Sequence, residues 1–262
     1  MKNKTRLDTL MVERGLTESR TLAQRLIMAG QVTVNKVQVI KPSVMVAEES
    51  EIVVDHGPRF VSRGGEKLQG ALDAFNLTDL SDLVCFDVGS STGGFTDCML
   101  QAGAARVYSI DVGSGLLHWK LRNDPRVICM EKTNARDVQM LPELTDFGTI
   151  DASFISLKIL LPVVKNWLKP EIGQLIALVK PQFEAGRVEA AKGAGVIRDP
   201  KVHAEVLTDI LGVVEETGMA VVNSIRSPLL GPKGNTEFLV LIQNRNAPRN
   251  DLKMLIRSVF AS

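Results

Sequence analysis

Between residues 5 and 30 the apolar positions recur at helical spacing. They predict two short helices, one carrying Leu7, Leu10 and Met11 and the next Leu22, Leu26 and Ile27. Thr17 is the expected N-cap of the second helix and Gly30 its stop. Arg20 and Gln24 then fall one turn apart on one face, with Arg25 beside them. The pattern changes at "QVTVNKVQV", where Val32, Val34, Val37 and Val39 alternate with polar residues about Asn35-Lys36, as in a small hairpin. "EESEIVVDHGPRFVSRGG" breaks both patterns with charge, Pro58 and the Gly64-Gly65 pair. From Leu83 onward, apolar runs at 83–88, 106–111, 126–130, 147–151 and 175–180 alternate with helical or loop segments. Two more runs lie near 220–225 and 238–242. This grammar predicts a doubly wound α/β sheet. The expected division is a small α+β domain at 1–54, a linker at 55–63 and an α/β domain at 64–262.

Composition adds an asymmetry. Residues 1–41 carry eight basic and three acidic side chains, net +5, while the rest carry 23 basic and 27 acidic, net −4. The basic piece suggests a polyanion partner of its own. No apolar run approaches the roughly 18 residues of a membrane span. "MKNKTRLDTL" lacks the apolar core and cleavage site of a signal peptide, so a cytoplasmic location is expected. Cys85, Cys98 and Cys129 are odd in number and lack metal-ligand spacing, which predicts reduced thiols and no metal.

Candidate chemistry begins at "VCFDVGSSTGGFTD", a strand, a glycine loop and the start of a helix. Its G-x-x-x-G-G spacing is neither the dinucleotide fingerprint nor a P-loop. On "SIDVG", Asp111 ends the next strand 22 residues after Gly89, where a carboxylate suits a ribose diol. Loop and acid together favour a nucleoside ligand without a pyrophosphate. S-adenosylmethionine fits best, and a degenerate NAD site or a purely structural glycine turn are the alternatives. Asp87, Gly89, Ser90, Ser91, Thr92, Gly93, Gly94, Phe95 and Asp111 are the candidate contacts, together with Asp151 and with Asn134 in "EKTNARDV" for an adenine edge.

"LIALVKPQFE" poses a separate question, because a buried strand ends in an ammonium group at Lys180 and stops at Pro181. Asp151 ends the strand "FGTID", 29 residues earlier, the length of one strand–helix–strand unit. A right-handed crossover brings both to one sheet edge. Glu237 opens the run "FLVLI", and Lys67 lies in the first turn of a helix with the apolar face Leu68, Ala71, Leu72 and Phe75. Two lysines and two acids are therefore expected to converge, with a buried salt-bridge network as the bland alternative.

The αα-hairpin followed by "GQVTVN" resembles the S4 RNA-binding domain over roughly residues 5–50. That resemblance implies RNA contacts at Arg6, Ser19, Arg20, Gln24, Arg25, Asn35 and Lys36. Further along, "SRGGEKL", "DVGSSTGGFTD", "DASFISL", "LVKPQFE" and "GNTEFLV" resemble the successive motifs of the TlyA family, which joins an S4 domain to an FtsJ-like methyltransferase domain. Ala152 departs slightly from the valine expected there. The resemblance implies 2′-O-methylation of ribosomal RNA, at a cytidine of the small or large subunit, with Lys67, Asp151, Lys180 and Glu237 as the catalytic tetrad. Lys180 is then either a neutral base, its pKa lowered by burial and Lys67 while the carboxylates pull the other way, or a charged stabiliser of the developing alkoxide. Arg187, Lys192 and Arg198, with "SPLLGPKGN" at 227–235, are candidates to hold the RNA backbone. Relatives have also been called hemolysins, so a membrane-active protein and a non-catalytic RNA-binding module are the rival classes. The short apolar stretches argue against the first and the complete tetrad against the second. No element shows an unclaimed apolar stripe, which predicts a monomer.

Overall fold

The computed structural model describes residues 3–55, 57–186, 189, 193–245 and 251–261. The chain forms two compact units that divide between Arg59 and Phe60.

In the smaller unit, helices α1 (Leu7–Glu13) and α2 (Arg20–Met28) precede the hairpin of β2 (Val32–Val34) and β3 (Val37–Gln38). Asn35 and Lys36 both take positive φ, as a two-residue hairpin turn demands. β1 (Lys4–Arg6) pairs antiparallel with β4 (Met45–Ala47), and β5 (Ile52–Val54) pairs with the free side of β2. Leu7, Leu10, Met11, Ala23, Ile27, Val32, Val34 and Val46 form the core, so the helical and alternating patterns close on each other. One expectation fails. Ser19, in extended geometry, caps α2 by accepting the Leu22 amide at 3.2 Å, while the Thr17 hydroxyl is buried without a partner.

The larger unit is built on seven strands: β6 (Val84–Val88), β7 (Arg106–Ile110), β8 (Val127–Met130), β9 (Phe147–Ile150), β10 (Gln174–Val179), β11 (Ala220–Arg226) and β12 (Phe238–Gln243). Their order is β8-β7-β6-β9-β10-β12-β11. The first five are parallel, and β12 runs antiparallel between β10 and β11. Helices α3 (Gly64–Phe75) and α4 (Gly94–Gln101) cover one face with Leu68, Leu72, Phe95 and Met99 against Ile176, Leu178 and Leu239. The other face packs on α6 (Leu157–Val164), α8 (Pro200–Glu216) and α9 (Leu252–Ala261), where Phe86 meets Trp167 edge-on with centroids 5.2 Å apart. Short helices α5 (Trp119–Arg122) and α7 (Pro181–Glu184) complete the layers. Strands buried on both faces explain why the sequence shows continuous apolar runs rather than alternation.

Two features of this topology place the site. Strand order reverses beside β6, where β7 lies on one side and β9 on the other, and ligands gather at the carboxyl ends there. Because β12 is antiparallel, its beginning lies at the same edge as the ends of β6, β9 and β10.

Candidate active site

Asp151 follows the last residue of β9, and Lys180 follows that of β10 in extended geometry. Pro181 turns the chain at once into α7, for which its fixed φ is suited. Glu237 stands immediately before β12, and Lys67 points from the first turn of α3. These four, drawn from across 170 residues of separation, line one cavity of about 250 Å³. They form two pairs. Lys67 Nζ lies 2.6 Å from Glu237 Oε2, and Lys180 Nζ lies 2.6 Å from Asp151 Oδ1. Lys180 also donates to Ser153 Oγ at 3.1 Å, and Gln182 Nε2 donates to Glu237 Oε1 at 3.3 Å. Burial pushes the Asp151 carboxyl above the usual range, against the pull of Lys180 and Lys67.

A second cavity, of about 340 Å³, adjoins the first and shares Gly89, Ser91 and Asp151 with it. Its walls are Val88, Ile110, Ala135, Ile155 and Leu160, with Val112, Leu116 and Phe154 exposed around it. Asp111 and Asn134 are among its polar side chains. Asp111 accepts the Ser91 and Gly113 amides, both at 2.7 Å, through different oxygens, so each keeps a lone pair. Asn134 Oδ1 accepts the Arg136 amide, leaving the NH₂ group to donate. An apolar slot bordered by the Asp111 and Asp151 carboxylates and the Asn134 amide suits a nucleoside, so the residues present fit S-adenosylmethionine.

The glycine loop makes this slot possible. Gly89 has φ +82, and a Cβ there would stand 2.6 Å from the carbonyl oxygen of Asp151. Ser90, Ser91, Thr92, Gly94 and Phe95 line the first cavity, and Ser91 lines the second as well. Two of the expected contacts do not reach either cavity. Gly93, at φ +94, faces Leu117 and Leu121, so it serves packing of the loop. Asp87 is fully buried inside β6, where it accepts the Thr96 amide and hydroxyl and the Thr149 hydroxyl at 2.7–3.0 Å. Burial outweighs those donors and pushes its carboxyl up to about 7. Asp87 therefore fixes the start of α4 against β9 instead of facing a ligand.

In the smaller unit, three expected RNA contacts converge on a residue the sequence did not single out. The buried Asp8 carboxylate accepts from Arg6 Nε and Nη2 at 3.0 and 2.9 Å, from Arg20 Nε at 3.0 Å and from Gln24 Nε2 at 2.8 Å. The arginines hold it well below the ordinary carboxylate range. Arg25 and Lys36 stay exposed, Asn35 Oδ1 accepts the Glu51 amide, and the Ser19 hydroxyl is spent on its cap. Arg187 and Lys192 lie outside the described residues.

Residues 60–244 match the FtsJ-like methyltransferase family and residues 5–52 the S4 domain family. A Bacillus subtilis protein named as a candidate rRNA methyltransferase, YqxC, is 47% identical over 241 residues, covering 90% of this chain and 85% of its own. The 16S/23S rRNA (cytidine-2′-O)-methyltransferase TlyA of Mycobacterium tuberculosis is 39% identical over 249 residues, 94% of this chain and 92% of its own. The chain belongs to the TlyA family. Among solved structures, a candidate hemolysin from Streptococcus thermophilus matches with a TM-score of 0.72 and 40% identity, covering all of this chain and 97% of the other.

Several residues that line the two cavities carry little local signal of it in the sequence. Ser62 and Arg63 line the tetrad cavity one turn before Lys67, a position that "SRGGEK" offers to any first-turn analysis. Ser153 and Phe154 follow Asp151, and Phe154 adopts φ +65 with its ring 5.0 Å from that of Phe183. Leu229, Leu230, Gly231 and Pro232, within the 227–235 stretch expected to hold the RNA backbone, instead line the tetrad cavity from the loop between β11 and β12. Their role depends on loop conformation, which local pattern does not encode.

Proposed function

We propose that this protein is an S-adenosylmethionine-dependent ribose 2′-O-methyltransferase that acts on a cytidine of ribosomal RNA. The observation that carries the reading is the junction of the two cavities at Asp151. A nucleoside slot opens there directly onto two lysine–carboxylate pairs. Asp111 would accept the cofactor ribose hydroxyls, Asn134 would donate to the adenine, and Thr92, Gly94 and Phe95 at the positive end of α4 would receive the methionine carboxylate. S-adenosylmethionine supplies a methyl group made electrophilic by its sulfonium.

A hydroxyl is a weak nucleophile, so its proton must leave as the carbon–oxygen bond forms. Lys180 is the group placed for this, held by Asp151 and Ser153 at the shared edge. Lys180 Nζ lies against the Asp151 carboxylate and the Ser153 hydroxyl, and in its amine form it would accept the hydroxyl proton. Lys67 and Glu237 orient the ribose and keep the cluster's charge balanced. The Asp8 cluster would position Arg6, Arg20 and Gln24 on RNA phosphates, giving register but no sequence. The same reading takes the chain as a cytoplasmic monomer, with residues 1–54 for RNA binding, 55–63 as linker and 64–262 for transfer. Among the described residues no helix is long and apolar enough to cross a membrane.

The test is transfer of labelled methyl to purified ribosomal subunits, mapped by 2′-O-methyl-sensitive primer extension. Lys180→Ala should lower transfer about 10²- to 10⁴-fold with cofactor binding retained. Label absent from ribose in both subunits, despite cofactor binding, would overturn the substrate. Undiminished transfer by Lys180→Ala would overturn the role of that lysine.

A further inference from the structure

The loop between β11 and β12 separates the tetrad cavity from another, smaller one. Its two stems meet where the Ser227 amide donates to the Glu237 carbonyl at 2.8 Å. Side chains alternate across a strand, so Glu237 points toward Lys67 while Thr236 and Phe238 point to the opposite face of the sheet. Arg226 pairs with Phe238 in register and therefore shares that opposite face. There a cavity of about 160 Å³ is bordered by Arg198, Arg226, Thr236 and His203, with Phe238 and Phe260 as apolar wall.

Its charge is unbalanced. Among the described residues, neither Arg198 nor Arg226 has a carboxylate within ion-pair distance, and Arg226 donates only to the neutral Thr236 hydroxyl at 3.3 Å. Asp199, the neighbouring acid, is spent on capping α8 through the Lys201 amide at 2.8 Å. The backbone segments that carry the two arginines are tied together. The buried Asn235 donates to the carbonyls of Gly195 and Pro232 and accepts the Ile197 amide, tying the segment before Arg198 to the loop after Arg226. Two guanidinium groups without carboxylate partners, bordering one small cavity, match a phosphate group.

We propose that Arg198 and Arg226 hold a backbone phosphate of the substrate RNA, as a strand crosses the sheet edge from the tetrad cavity. The inference rests on the RNA methyltransferase reading for the identity of the polyanion. It commits to RNA because the cavity lies at the same sheet edge as Glu237, one residue along β12.

The experiment is equilibrium binding of the full chain to purified ribosomal subunits over a salt series. Wild type is compared with Arg198→Ala/Arg226→Ala and Arg198→Lys/Arg226→Lys. One lost phosphate contact should reduce the slope of log K against log salt by about 0.7 to 0.9 in the alanine variant. The lysine variant keeps the charge and should keep the slope while binding more weakly, which separates charge from folding. Cofactor affinity, measured by calorimetry, serves as the check that the fold is intact. An alanine variant with the wild-type slope and affinity overturns the inference, and so does wild-type binding that is indifferent to salt. If the slope falls as expected but no ribose is methylated, the phosphate site stands and the proposed function falls. If ribose is methylated and the slope does not change, the reverse holds.

Discussion

Gly89→Ala tests whether the backbone at the strand-order reversal sets the geometry of the whole site. Two penalties act together. An alanine at φ +82 meets the left-handed penalty of about 1–2 kcal/mol for a non-glycine residue. Its Cβ would also stand 2.6 Å from the Asp151 oxygen, 2.9 Å from its carbonyl carbon and 3.0 Å from Ala152 Cα. All three are backbone atoms, so no side chain can swing away. Reaching an ordinary contact of 3.4 Å requires the ends of β6 and β9 to part by about 0.8 Å. Overpacking of this kind adds about 1–3 kcal/mol, for a total loss of about 2–5 kcal/mol. The same shift moves Asp151, and with it Lys180, for which misplacement near 1 Å lowers a rate about 10²-fold. Gly115→Ala is the control, because Gly115 has φ +72 and a Cβ there would meet nothing within 4 Å. It should lose only the first penalty. Urea midpoints, calorimetric cofactor affinity and methyl transfer should all fall further in Gly89→Ala than in Gly115→Ala. Equal values for the two variants would refute the argument, since the steric part would then be absent.

Three other outcomes follow from charge and burial. Asp87, raised to about 7 when folded from about 3.9 unfolded, stabilises fully below pH about 4 and loses that contribution as pH rises to 7. Wild type should therefore lose up to about 1.4 kcal/mol per pH unit relative to Asp87→Asn across that window, and parallel urea-midpoint profiles would contradict the raised value. Asp8 is held low by Arg6 and Arg20, so its contribution is complete above pH about 4 and disappears as pH falls further. Asp8→Asn should cost about 1–3 kcal/mol at neutral pH and weaken binding to ribosomal RNA, and unchanged affinity would detach the cluster from RNA. Lys67→Met leaves Glu237 buried and unpaired at a cost of about 3–5 kcal/mol, and adding Glu237→Gln should recover part of it in chemical denaturation. Additive losses would show that the two groups do not interact.

The sheet was readable because burial on both faces turns each parallel strand into an apolar run, and the strand-ending residues inherit a defined edge. Lys180 illustrates this. The residue before proline is driven to extended geometry, so "VKP" marks both the end of β10 and the start of α7. Antiparallel β12 was readable as a strand but not as an insertion between β10 and β11, because nothing local encodes strand order. Thr17 and Ser19 show the same limit at short range. Both can cap a helix, and the choice falls to the one whose backbone enters α2 extended, a matter of tertiary packing.

Asp87 and Asp111 make the point most sharply for the site. Both stand in the same triplet, "DVG", after an apolar run, and both were expected to contact the cofactor. Register separates them. Val88 pairs with Ile110, so Asp87 is opposite Ser109 inside the sheet, while Asp111 has passed beyond the strand. The first can only meet Thr96 and Thr149, and the second is free to face the slot. A two-residue offset between neighbouring strands thus assigns one acid to holding the loop and the other to the ligand. The tetrad was legible for the opposite reason. Asp151, Lys180 and Glu237 each lie at a strand boundary, where position along the chain nearly determines position at the edge. Arg226 also ends a strand, β11, but its importance rests on which face the pleat gives it and on Asn235 drawing the segment before Arg198 toward it. Contacts of that kind are set by pairing and loop closure, and only the folded chain reveals them.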